Sequence, residues 1–234
     1  MIIFIIPAYN EEENIQRLLS NIDTKMKKLK RNYCVLLVND GSKDFTKEKA
    51  LEFKNRVQLE VIDHETNRGV GEVFRSGFSR AIECAADNDI IVTKEADNTG
   101  DIDILDKMFQ KIYSGYDMVL ASCYAPGGKI VGTPPFRLLL SSSANFFLKL
   151  FFPIQGIHTY SSFYRVYKAG MLRKAFSAYE NSLIEDNGFT CMVEMLIKLN
   201  RLNIRIAEIP MILRCDIRKG KSKMKKLMTI MGYI

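Results

Sequence analysis

Two carboxylates stand two residues apart at the end of an apolar run. The run is DIIV (89–92), and the acids are Glu95 and Asp97, separated only by Ala96, within VTKEADNTGD (92–101). On an extended segment residues i and i+2 share a face, so both acids would address one ion. Hard cations such as Mg²⁺ or Mn²⁺ take one or two carboxylates from a protein and complete their shell with phosphate oxygens and water. The same residues also suit a solvated strand end followed by a helix cap at Asp101. Two further polar stretches follow strand-like runs, PAYNEEEN (7–14) and NDGSKD (39–44). Taken alone, NDGS reads as well as a turn with a helix cap.

These loops need a scaffold that brings them together. Short apolar, β-branched runs at 2–7, 33–40, 57–63, 89–95 and 117–123 predict strands covered on both faces. Helical patterns lie between them at 12–29, 44–53, 71–86 and 101–115, the first with Ile15, Leu18, Leu19 and Ile22 on one stripe. Strands alternating with helices predict βαβ units and a mixed, mostly parallel sheet in an α/β fold. Such sheets bind ligands beyond the carboxyl ends of their strands, where all three polar loops fall. The second half changes character. It holds a very apolar stretch at 137–156, a helical pattern at 188–202, a strand-like run at 204–213 and a basic, then apolar, tail from 214.

The 234 residues suffice for one large α/β domain or two small ones, and 47% hydrophobic content excludes a disordered chain. A net charge of +7 points to an anionic partner: nucleic acid, a phosphorylated ligand or an acidic membrane surface. No nucleic-acid-binding motif is present. The five cysteines, Cys34, Cys84, Cys123, Cys191 and Cys215, show neither CxxC nor zinc spacing and read as reduced thiols in a cytosolic protein. The opening MIIFIIPAYN lacks a basic n-region, and Pro7 ends its apolar run too early for a signal peptide. No run reaches about 20 apolar residues, so no transmembrane helix is expected.

The order PAYNEEENI, LLVNDGSKDFT, NRGVGEVFRSGF, EAD resembles the family 2 glycosyltransferases of the GT-A fold. The later RLLLSSSANFF, SSFYRVYK, GFTCMVEM and KGKSKM resemble the dolichyl-phosphate mannosyltransferase and polyprenyl-phosphate sugar transferase branch. The resemblance covers nearly the whole chain. It implies one GT-A domain over 1–234, with a nucleotide-sugar half at about 1–123 and an acceptor half at about 124–234. It also implies a metal-dependent hexosyltransferase that moves a sugar, with inversion, from a GDP- or UDP-sugar to a polyprenyl phosphate.

Carried over residue by residue, the resemblance places Pro7, Tyr9 and Glu11, with Asn39 and Asp40, on the donor nucleotide, and Ala96 beside it. Tyr9 offers a face for stacking, and the acids accept from base or ribose donors. Glu95 and Asp97 stand where the family has its metal-binding Asp-x-Asp. Thr99 stands where a further family ligand falls. Arg137, Arg165 and Lys223 would hold phosphates, with Arg137 counted alongside Glu95 and Asp97 as catalytic. The sequence departs from the family pattern at Cys123, where an arginine is usual, and Lys129 is the candidate to replace it. It departs again at Asn39, which takes the place of an acid.

An acceptor phosphate is already nucleophilic near neutral pH and needs no general base. A hydroxyl acceptor would need one, and Glu185–Asp186 either supplies it through Asp186 or is a solvated helix start. A donor-binding protein without turnover is the third reading. ANFFLKLFFPI (144–154) is read either as an interfacial helix or as a buried core helix. Arg218 and the lysines at 219, 221, 223, 225 and 226 suit an anionic leaflet or substrate phosphates. The expected location is therefore peripheral, on the cytoplasmic face of a membrane.

Overall fold

The computed structural model describes residues 1–220. Lys223, and the lysines at 221, 225 and 226, lie outside the described residues. The predicted strands form where expected, with shifted ends: β1 (Ile2–Ala8), β2 (Tyr33–Asp40), β3 (Leu59–His64), β4 (Ile90–Thr93) and β5 (Met118–Ser122). The helices between them are α1 (Ile15–Leu29), α2 (Thr46–Leu51), α3 (Val70–Cys84) and α4 (Leu105–Tyr113). In the second half come β6 (Lys129–Val131), α5 (Pro135–Phe151), β7 (Arg165–Lys168), α6 (Ala169–Tyr179), α7 (Cys191–Arg201), β8 (Ile206–Pro210) and β9 (Ile212–Arg214).

Seven strands make one sheet in the order β3-β2-β1-β4-β7-β5-β8, so strands from both halves of the chain are joined in it. All neighbours run parallel except β7, which is antiparallel to both β4 and β5. Alternate residues feed two cores. Phe4, Ile6, Val35 and Leu37 pack toward α1, α2 and α4. Ile3, Ile5, Leu36 and Val38 pack toward α3, α6 and α7. This double burial explains why the strands are apolar throughout.

Three elements depart from expectation. The run at 204–213 is two strands, because β8 pairs with β5 while β9 leaves to pair with β6 in a separate ribbon. The strand predicted to reach Glu95 stops at Thr93. The apolar stretch forms α5, but the buried-core reading fails: Phe136 is 70% exposed and Phe151 71%, and Leu139, Phe146, Phe147 and Leu150 are exposed too. Only Leu148 of this helix is buried. Among the described residues no helix is long and apolar enough to cross a membrane.

Candidate active site

The parallel register puts the ends of β1, β2 and β4 at one sheet edge: Ala8 lies opposite Asn39, and Ile5 opposite Thr93. The loops that follow are laced together by backbone-to-side-chain bonds. Asn10 N–H donates to Ser42 Oγ (3.0 Å), Glu11 N–H to Thr46 Oγ1 (2.7 Å) and Glu12 N–H to Asp44 Oδ2 (3.2 Å). Gly41 makes the second loop possible: its φ is +66°, and an added Cβ would lie 2.5 Å from the Thr66 carbonyl carbon. Pro7 belongs to β1 rather than to the loop, and Tyr9 follows half-buried.

The acid pair sits in a turn, not on an extended strand. Asn98 adopts φ +61°, and Asp97 Oδ1 accepts from the Thr99 N–H (3.0 Å) and the Thr99 hydroxyl (2.7 Å). An Asp that bonds its own backbone two residues on favours such a turn over a strand. Thr99, expected beside the acids, props Asp97 through both of these bonds. The helix-cap reading of Asp101 holds as well, since its Oδ1 accepts from Asp103 N–H (2.8 Å).

Glu95 is partly buried and Asp97 only 9% exposed. Burial, then the Asp97 charge, pushes the Glu95 carboxyl above its ordinary range. Beneath the turn Lys94 is fully buried, with its Nζ donating to Gly100 O (2.6 Å) and lying 4.4 Å from the Tyr164 ring centre. Burial lowers its pKa against the pull of Glu95, Asp97 and Asp101.

Two asparagines missed in the sequence organise this corner. Asn98 Nδ2 donates to Asn14 O (2.9 Å), while its buried Oδ1 has no hydrogen-bond partner. Asn14 is 3% exposed, and its Nδ2 bonds both Glu11 Oε2 (2.7 Å) and Lys219 O (3.0 Å). Their only signal was position, one closing the first motif and one following the acids. Arg218, from beyond β9, hydrogen-bonds Asp97 Oδ2. Glu95 and Asp97, close enough for one charge to act on the other, are oxygen donors of the kind a hard divalent cation takes, its remaining positions going to ligand oxygens and water.

Several of the expected ligand-binding side chains bond within the protein. Asp40 is 3% exposed, and its carboxylate accepts from His64 Nδ1 (2.9 Å), Arg68 N–H (2.9 Å) and Gly69 N–H (3.1 Å). It clamps the turn after β3, and His64 continues the latch to Ser76 of α3 (3.0 Å). Asn39 is buried beside it and donates to Asp63 Oδ1 (2.6 Å). Arg165 is completely buried in β7, and its guanidinium serves the carbonyls of Ser162 (2.6 Å) and Tyr160 (2.9 Å).

The remaining candidates differ in exposure. Ala96 is buried between the acids. Arg137 lies half-buried in the first turn of α5, and Lys129 is exposed at the start of β6. Burial pushes the Cys123 thiol up to about 11, so a neutral thiol stands in the place of the family's arginine. Glu185 and Asp186 precede α7 in a loop. Glu185 pairs with Lys198 (2.6 Å), and Asp186 accepts from the Thr190 hydroxyl. That loop packs on the start of α3, where a Cβ on Gly71 would come 1.9 Å from Asp186 O.

Sheet order and the helices on both faces define a mixed, mostly parallel α/β fold of the GT-A type. Over 99% of this chain and 74% of the other, the fold superimposes on glucosyl-3-phosphoglycerate synthase from Mycobacterium tuberculosis, with TM-score 0.65 and 16% identity. The sequence model for "Glycosyl transferase family 2" matches residues 3–176, and the chain belongs to that family. It is 32% identical to a dolichol-phosphate mannosyltransferase from Pyrococcus furiosus, covering 98% of this chain and 60% of that one. It is 28% identical to an undecaprenyl-phosphate mannosyltransferase from Micrococcus luteus, covering 95% and 87%. A polyprenol monophosphomannose synthase from Mycolicibacterium smegmatis is 27% identical, covering 94% and 79%.

Proposed function

We propose that the chain transfers a sugar, with inversion, from a GDP- or UDP-sugar to a polyprenyl phosphate at a membrane surface. Residues 1–123 serve the donor and residues 124–234 the acceptor, within one domain. The observation that carries this reading is the start of α5. Arg137 opens a helix whose exposed face is aromatic and aliphatic, and that helix follows the ribbon strand β6 that leads away from β5. A cation for a phosphate beside an apolar surface for a lipid chain matches an amphiphilic acceptor better than a sugar hydroxyl. The names of the relatives, all transferases to polyprenyl-type phosphates, support the same acceptor class.

Glu95 and Asp97 hold the divalent cation, Mg²⁺ or Mn²⁺; the Mn²⁺ and UDP described with the M. tuberculosis synthase support this choice. When bound, the cation neutralises charge on the departing nucleoside diphosphate. The chain's own residues then position the reactants. Tyr9 and Glu11 border the donor, Thr99 fixes the Asp97 rotamer, and Arg137 draws the acceptor phosphate to the rim. Lys129 and Lys223 are further cations for phosphates.

Transfer of radiolabelled sugar to a short polyprenyl phosphate, with Mn²⁺ or Mg²⁺ and a panel of GDP- and UDP-sugars, tests the proposal. Asp97→Ala should lower the rate about a hundredfold or more, the scale of losing a major electrostatic stabiliser; wild-type transfer by that variant would refute the metal assignment. Asp186→Asn should leave transfer to a phosphate intact. A collapse of transfer in Asp186→Asn would instead identify a general base and a hydroxyl acceptor.

A further inference from the structure

Arg218 is far from Asp97 in the chain, yet its guanidinium is bonded to the Asp97 carboxylate. The segment carrying it is laid across the acid turn and fastened on both sides of that contact. Before it, β9 pairs with β6 and Arg214 N–H donates to Thr99 O (2.9 Å). After it, Lys219 is joined to Asn14 through Lys219 N–H to Oδ1 (3.4 Å) and Asn14 Nδ2 to Lys219 O (3.0 Å). Asp216 is packed onto Gly132, where a Cβ would lie 2.5 Å from the Asp216 nitrogen. The strap is therefore placed by its own contacts, and Arg218 reaches Asp97 as a consequence.

A second feature separates this contact from a purely structural ion pair. Arg218 Nε is buried and has no hydrogen-bond partner, although the side chain as a whole is 26% exposed. A buried donor without an acceptor is costly, and native structures rarely leave one without a reason. Here the donor stands beside a carboxylate oxygen that a metal would claim.

We propose that Arg218 is a positioning residue that occupies the cation seat at Asp97 in the free protein and yields it when metal and nucleoside diphosphate arrive together. The proposal rests on the reading of Glu95 and Asp97 as the metal ligands. Charge couples the two ligands. A cation arriving alone must displace the guanidinium from Asp97 and leave it unpaired next to a dication, which is unfavourable in a poorly solvated corner. A cation arriving with a diphosphate brings new acceptor oxygens for the guanidinium, including its idle Nε–H. Metal and nucleotide are thereby coupled, and each binds better with the other.

The test is Mn²⁺ titration of the full chain, following the EPR signal of free Mn²⁺, without nucleotide and with GDP or UDP. Wild type should bind Mn²⁺ weakly alone. Arg218→Gln should bind Mn²⁺ alone about fivefold tighter or more, and the enhancement by GDP or UDP should shrink correspondingly. A merely structural strap predicts the opposite sign, because loosening it would disorder Asp97. Equal or weaker binding by Arg218→Gln overturns the proposal. Arg218→Lys keeps the charge on a differently shaped head and should fall between the two. Should Arg218→Gln fail to fold, Arg218→Lys decides: Mn²⁺ binding no tighter than wild type overturns the proposal. Asp97→Asn separates the two levels. If it leaves Mn²⁺ binding unchanged, the metal seat lies elsewhere and the underlying reading falls first.

Discussion

Arg165 shows how a charged residue near a family motif can serve the fold. Its guanidinium is the hydrogen-bond partner of two carbonyls in the irregular stretch 160–162, which leads the chain into β7. Each buried carbonyl left without a donor costs about 1–3 kcal/mol. Arg165→Met should therefore destabilise the protein by about 2–5 kcal/mol in urea unfolding. At a temperature where the variant is folded, its apparent affinity for the acceptor phosphate should match wild type; a large rise in KM for the acceptor would restore Arg165 to the phosphate site. At this scale the sequence was legible where chemistry and position coincide. Glu95 and Asp97 announce themselves as acids after an apolar run, and the three-loop corner follows from strand order. Asp40 was legible as a special residue, but its tie to His64 and the Arg68 and Gly69 amides was not, because those partners come from another strand and loop. Arg218 could not be assigned to Asp97 at all, since that contact depends on how β9 leaves the sheet.

Elements are joined in this fold by a few buried polar ties as well as by apolar packing. Asp23, on the inner face of α1, accepts from the Tyr33 hydroxyl of β2 (2.9 Å) and from Lys27 (2.8 Å), with Arg56 3.7 Å away. Burial alone would raise its pKa, but the bonds from Lys27 and Tyr33 and the charges of Lys27 and Arg56 outweigh it and leave the carboxyl below its ordinary value. A lowered folded-state pKa means stability that is fully present above the unfolded carboxylate value, about 3.9, and lost as pH falls through the folded value beneath it. Asp63 and Asp89 are lowered in the same way, so the tie must be read as a difference. Urea midpoints of wild type and Asp23→Asn should be well separated at pH 6 and draw together as pH falls below the unfolded carboxylate value, about 3.9; a constant separation would show that the charge is not what holds α1 to β2. Long apolar strands and striped helices were legible because their periodicity spans two turns or more. β7 escaped notice because four residues inside a polar-aromatic stretch carry no period, and its antiparallel direction is set by the neighbours it joins. The split between β8 and β9 was hidden for a similar reason, as one apolar run serves two different sheets.

For the whole molecule, the question is how a protein with no membrane-crossing helix among its described residues would meet a lipid acceptor. Its exposed apolar side chains are concentrated on α5, where Phe136, Leu139, Phe146, Phe147, Leu150 and Phe151 face outward. Burying a side chain of this size in an apolar phase is worth about 1.5–3 kcal/mol, so a few of them suffice for reversible attachment. The net charge of +7 adds an attraction to anionic lipid that salt screens over about 10 Å at 0.1 M. The two terms respond to different perturbations. Phe147→Ser with Phe151→Ser should lower binding to vesicles of any charge by about tenfold or more, with little change in melting temperature because neither side chain is buried in the protein. Raising salt from about 0.05 to 0.5 M should weaken binding to anionic vesicles but leave neutral ones nearly unaffected. Transfer to a long-chain polyprenyl phosphate in vesicles should fall with each loss of binding, while transfer to a short, water-soluble polyprenyl phosphate should hold. Equal losses on both acceptors would place α5 in the catalytic arrangement itself, and no loss on either would mean that the apolar face meets something other than the membrane that carries the acceptor.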